Sequence, residues 1–156
     1  MALNESAPGA RTLVMTRVFD APRNFVFKCW TEPEHLARWW GCAGSTVTTF
    51  KGDFRPGGAF RVVMRLSDGS DHRVCGVFHE VVAPKRLVFT WAWEDPEGRL
   101  GHETLVTVNF ADRGGKTEVT LRHAVFESVP ACDLHRQGWT ASLDRLAGYL
   151  AKAKVA

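Results

Sequence analysis

Residues 138–150 read Gly-Trp-Thr-Ala-Ser-Leu-Asp-Arg-Leu-Ala-Gly-Tyr-Leu, and the spacing of their apolar members decides the fold. Trp139, Leu143, Leu146 and Leu150 step by four, three and four, one continuous stripe on a helix. Asp133, His135, Arg136, Asp144, Arg145 and Lys152 are expected on its wet face. The helical period starts after Pro130, so about twenty residues form a helix roughly 30 Å long, enough to cross a sheet.

Upstream of this helix the period is two. Strands are expected over 46–50, 59–66, 72–82, 87–93, 103–110 and 117–123. Between them lie turn-forming groups: Pro56-Gly57-Gly58, Ser67-Asp68-Gly69, Pro84-Lys85, Asp95 to Gly98 and Asp112 to Gly115. Links this short favour antiparallel neighbours. One more strand is expected over 12–19, where Leu13, Met15 and Arg17 alternate with Val14, Thr16 and Val18. Asp20 stands where an N-cap would, with Pro22 in the first turn of a helix reaching Trp30. Thr31 and Glu34 then read as a capping box around Pro33, opening a second short helix through Trp40. The class is α+β: a curved antiparallel seven-stranded sheet, two short helices after the first strand, and a long C-terminal helix. Residues 1–11 read as a polar tail and 12–152 as a single domain.

A sheet with one apolar face must cover it, and the final helix is the only large cover. One helix about 10 Å wide leaves space on the concave side of a twisted sheet. A pocket of roughly 300–1,000 Å³ is therefore expected. Phe60, Met64, Phe89, Trp91, Trp93 and Val106 face it from the strands, and Trp139, Leu143 and Leu146 from the helix. Trp39 stands beside the Gly41–Ser45 loop at its mouth. His72, His102 and His123 fall on strands in phase with these apolar faces, and His72 and His123 are taken as lining residues.

Composition narrows the function. The net charge is +3, with no basic run long enough for a nucleic-acid track. No apolar stretch has the length of a membrane span, and the first residues lack the pattern of a signal peptide, so a cytoplasmic protein is expected. The four cysteines form no metal-binding spacing, and no cofactor fingerprint, zinc motif or Ser-His-Asp order is present. Six Trp and ten Phe stand against one Tyr, so the interior is built from large rings with few polar handles.

Several segments resemble those of the bacterial branch of the activator of heat-shock-protein ATPase homologue family, within the START-like helix-grip superfamily. They are Ala21-Pro22 with Val26 to Thr31, Pro33 to Gly41, Asp53 to Arg61, Gly76 to Val81, Pro84 to Trp91, and Gly138-Trp139 through Leu146. The likeness spans about residues 12–152, and it departs at Cys42, where the family often has proline. It implies the helix-grip fold; the cavity and its aromatic walls point to binding of a small hydrophobic molecule between sheet and helix, and no cofactor or metal is expected. It also implies two alternatives: a cyclase- or hydrolase-like enzyme using His72 or His123, and a co-chaperone module, which the lack of a second domain ranks last. The open sheet edge leaves room for a homodimer.

Overall fold

The computed structural model describes residues 11–42 and 44–155, so the tail expected over 1–11 lies outside it except for Arg11. Strand β1 (Leu13–Phe19) leads into helices α1 (Arg23–Thr31) and α2 (Pro33–Leu36). Strands β2 (Thr46–Gly52), β3 (Ala59–Arg65), β4 (Asp71–Val82), β5 (Arg86–Glu94), β6 (Thr104–Arg113) and β7 (Lys116–Ala124) follow, and helix α3 (Val129–Val155) closes the chain. The expected order of elements is the observed one.

The strands form one sheet in the order β1-β7-β6-β5-β4-β3-β2, every pair antiparallel. Successive hairpins build β2 to β7 as a meander. β1 returns to pair with β7, placing Met15 opposite Leu121. β1 and β2 are thus opposite edges of the sheet, and the chain between them must cross its concave side. It does so as α1, against β6 and β7, and α2, against β2. Register shifts between Val47 and Thr49 and between Phe78 and Glu80 add bend to the sheet. Gly76 lies opposite Phe60, and a Cβ there would sit 1.9 Å from the Thr90 carbonyl oxygen and 2.6 Å from the Phe60 ring. Only glycine lets the strands and that ring approach so closely.

Alternation along the strands sends Phe60, Val62 and Met64, Leu87, Phe89 and Trp91, and Val106, Val108 and Phe110 into the core. α3 adds Trp139, Leu143, Leu146 and Leu150, all buried. At 27 residues it is longer than expected, about 40 Å. Its start is capped by Ser128, whose Oγ accepts the Ala131 N–H at 3.2 Å. Just before it, Val125 takes a φ of 69°. That turn leaves Val125 exposed and drops Phe126 onto the rings of His123 and His135.

Four local expectations are corrected. The N-cap of α1 is Pro22, with φ −68° and ψ 148°, not Asp20; the Pro22 carbonyl accepts the N–H groups of Phe25 and Val26. The capping box does not form, because Thr31 ends α1 and its hydroxyl donates to the Phe27 carbonyl at 3.1 Å. Glu32 therefore caps α2, whose four residues continue as turns to Trp40. His102 precedes β6 in an exposed loop, where its ring bonds the Val125 carbonyl rather than joining a strand face. His135 leaves the expected wet face, lying half-buried among Trp91, Trp93, His123 and Phe126.

Candidate functional site: an aromatic recess beneath the short helices

All six tryptophans join one network across the concave side. Trp30 packs 4.8 Å from Trp39 and stacks 6.0 Å from Trp139, while Trp40 lies 5.5 Å from both Trp91 and Trp139. Trp93 joins through Trp91 at 5.7 Å. This network fills the space that a lone helix would leave. The expected pocket of roughly 300–1,000 Å³ is corrected to about 10 Å³ of room for a water-sized sphere. The width argument counted backbone elements, and the volume is occupied by indoles.

A recess lies under α1 and α2. Trp30, Leu36 and Trp40 form its roof, and Phe60, Phe78, Leu87 and Phe89 its floor on the sheet. Phe50 and Phe54, half-buried and stacked 5.7 Å apart at 18°, stand at its outer side. Every lining side chain is apolar or an indole.

Of the residues read from sequence, Phe60 and Phe89 reach this lining. Trp39 does not; its Nε1 donates to the Cys29 carbonyl at 2.9 Å and it is fully buried, so it braces α1. Met64, Trp91, Val106, Leu143 and Leu146 are buried elsewhere in the core. His72 is exposed on β4, its ring 5.9 Å from Trp93. Leu87, expected on the concave wall, and Trp40, adjacent to Trp39 at the expected entrance, also line it, and Trp30, Leu36, Phe50, Phe54 and Phe78 complete the recess without having been singled out for it. Spacing carried a signal for three of them: Trp30 follows Val26 by four, and Trp40 follows Leu36 by four, so each pair shares a helical face.

Of the histidines read from sequence as site residues, His123 is tied down. Trp139 Nε1 donates to His123 Nδ1 at 3.0 Å, and an indole N–H can only donate. The neutral ring therefore carries its proton on Nε2 and gives it to Thr104 Oγ1 at 2.6 Å, and that hydroxyl donates to the Trp91 carbonyl at 3.0 Å. Burial, then the nearby His135, holds the His123 pKa well below the usual 6.5. A buried ring with both nitrogens occupied has neither a proton nor a lone pair for a substrate, and His72 lies outside. The enzyme alternative thus loses both of its candidates. His135 has the complementary arrangement: Nε2 accepts from Trp93 Nε1 at 2.9 Å and Nδ1–H donates to the Ala131 carbonyl at 2.7 Å. Two Trp–His bonds of opposite direction thus lock α3 to the sheet.

Trp30 and Trp91 break this pattern. Their Nε1 atoms are buried and, among the described residues, have no hydrogen-bond partner. Leaving such a donor unmade costs about 1–3 kcal/mol. Cys29 offers no alternative chemistry: burial, with a smaller effect of Glu32, pushes its thiol up to about 12, so it stays protonated. Glu32, Glu34 and His35 place ligand atoms within 4.8 Å of one another, with His35 Nδ1 bonded to the Tyr149 hydroxyl at 2.6 Å and Nε2 3.7 Å from Glu32 Oε1.

The loop after Trp40 is held from α3. Ser142 Oγ donates to the Gly41 carbonyl at 2.9 Å and accepts the Gly41 N–H at 3.1 Å. Arg145 Nη1 points at the carbonyls of Trp40, Gly41 and Cys42 and at Ser45 Oγ, 3.1–3.4 Å away. Gly41 has φ 109°, and a Cβ there would meet Ser45 Oγ at 2.4 Å. The roof residue Trp40 is therefore positioned by a loop latched to the long helix.

Fold and recess together define a START-like helix-grip protein, and the chain belongs to a family within that class. It matches the Activator of Hsp90 ATPase homolog 1-like protein family over residues 20–151. Among solved structures it is similar to an AHSA1 protein from Silicibacter pomeroyi, with 29% identity, TM-score 0.85, and 91% of this chain and 99% of that one covered. A protein from Nitrosomonas europaea is 25% identical with TM-score 0.78 over 97% of this chain and 99% of its own. One from Arthrobacter aurescens is 25% identical with TM-score 0.81 over 92% of this chain and 87% of its own. No curated protein matches the chain. A fold of this class supports ligand binding in general. Among the described residues no helix is long and apolar enough to cross a membrane.

Proposed function

We propose that this protein binds a small hydrophobic molecule in the aromatic recess beneath α1 and α2, by a roof that moves aside. The observation that carries the reading is the lining itself. Nine apolar or aromatic side chains from seven segments converge there without a charge, and one of them, Trp30, holds a buried donor without an acceptor among the described residues. A recess of about 10 Å³ is too small for any organic ligand, so binding requires displacement of Trp40 or of Phe54 at the outer side. Both belong to short turns rather than to the sheet, and Phe54 is only half-buried.

The test is a thermal unfolding series with naphthalene as the simplest planar apolar probe. A ligand at a hundred times its Kd stabilises by about 2.7 kcal/mol, which is a rise in Tm of roughly 5–10 °C for a domain of this size. A saturable rise of that order supports the reading. A Tm that does not change up to the solubility limit of naphthalene, and then of larger ring systems, contradicts it.

A further inference from the structure

We infer that the molecule held in this recess carries a neutral, acceptor-only oxygen, a ketone, aldehyde or ester carbonyl, that takes the unpartnered N–H of Trp30. The inference rests on the proposed function above and adds the chemical class of the ligand.

The first ground is how this chain treats its other indoles. Trp39, Trp93 and Trp139 each donate to a protein acceptor: the Cys29 carbonyl, His135 and His123. Three indoles that fill the core thus have a partner, whereas Trp91, outside the recess, has none among the described residues. Trp30 is 2% exposed, lines the recess, and has no partner among the described residues. The rest of the lining is largely phenylalanine, and phenylalanine would fill an apolar roof without stranding a donor.

The second ground is the polarity of the recess that Trp30 lines. The lining side chains offer the indole N–H groups of Trp30 and Trp40 and not one acceptor. A water or an alcohol could accept from them, but no lining side chain would take its own hydrogens. A carbonyl oxygen has two lone pairs and no hydrogen, so it matches. The third ground is charge. No lining side chain is ionised, so a carboxylate would be buried without a counter-charge. Aromatic faces attract cations, but a cation has no lone pair for Trp30.

Three probes of one shape separate these cases: 2-acetylnaphthalene, 2-isopropylnaphthalene and 2-naphthoate, titrated into the full-length ¹⁵N-labelled chain by NMR. The ketone is expected to bind at least about tenfold tighter than the hydrocarbon, the gain from one buried hydrogen bond, with the carboxylate weakest. The Trp30 indole N–H resonance, assigned by its loss in Trp30→Phe, should move downfield with the ketone only. Trp30→Phe should bring the ratio of ketone to hydrocarbon affinity close to one. Equal binding of ketone and hydrocarbon to the wild-type chain overturns the inference and leaves the proposed function standing. So does a preference for the carboxylate, or a tenfold ratio that survives Trp30→Phe. If none of the three binds saturably, the proposed function falls and this inference with it. The wild-type comparison and the indole shift decide the matter even if the variant does not fold.

Discussion

The indole of Trp139 can only donate, and that fact fixes the proton on His123 Nε2 and the direction of the whole chain to the Trp91 carbonyl. Protonating His123 would set two donors against each other at Nδ1; protonating His135 would do the same at Nε2, facing Trp93. Burial already holds both rings below the usual 6.5, and His135, 5.1 Å away, further opposes a charge on His123. On His135 the bond to the Ala131 carbonyl, then Glu127, pull the other way. The sign follows directly. Below 6.5 the unfolded chain takes up protons that the folded histidines refuse, so stability is full above that pH and falls as pH drops through it toward the lower folded values. Urea midpoints should therefore decline between pH 7.5 and 5, before paired carboxylates such as Asp71 and Glu94 begin to matter. His135→Gln, whose amide oxygen can still accept from Trp93, should flatten part of that decline. A midpoint independent of pH over this range, or an unchanged slope in the variant, would contradict the assignment. Sequence placed His123 on an apolar strand face; that it was a satisfied core residue depended on Trp139 and Thr104, which no local pattern brings together.

At the scale of elements, α3 is a clasp as much as a cover. It reaches β7 through Trp139, β5 through His135, β1 through the Asp144–Arg17 pair at 2.6 Å, α2 through Tyr149, and the 41–45 loop through Ser142 and Arg145. The stripe of Trp139, Leu143, Leu146 and Leu150 was plain in the sequence because period 3.6 is a local signal. His135 belonged to the same stripe, four residues before Trp139, yet its polar type assigned it to the wet face. Caps were less legible. Residue type pointed to Asp20 and Thr31, but the corner into α1 is set from a distance by Thr117, whose hydroxyl donates to the Ala21 carbonyl at 2.7 Å. The Ser142 latch makes a prediction at this level. Ser142→Ala strands the Gly41 N–H and leaves its carbonyl only the longer Arg145 contact at 3.4 Å, so unfolding free energy should drop by about 1–3 kcal/mol. Because the same loop positions Trp40, probe association should become faster. Loss of stability with no change in association rate would separate the loop from the roof.

For the whole molecule, the order of elements, the antiparallel sheet and the family were all carried by sequence, since each rests on periodicity, turn chemistry or contiguous segments. The content of the interior was not. Element widths predicted a large empty space, but six tryptophans contributed from α1, the turn after α2, β5 and α3 converge and close it. Such convergence is a property of the folded chain, invisible to any window along it. The proposed binding requires a site that opens, and this is the central claim. It is tested most directly by titrating naphthalene into the ¹⁵N-labelled protein and following the six indole N–H signals. The account predicts saturable shifts for Trp30 and Trp40, which roof the recess, while Trp139, bonded to His123, and Trp39, bonded to Cys29, stay in place. Shifts that never saturate, or that fall equally on all six indoles, would contradict it.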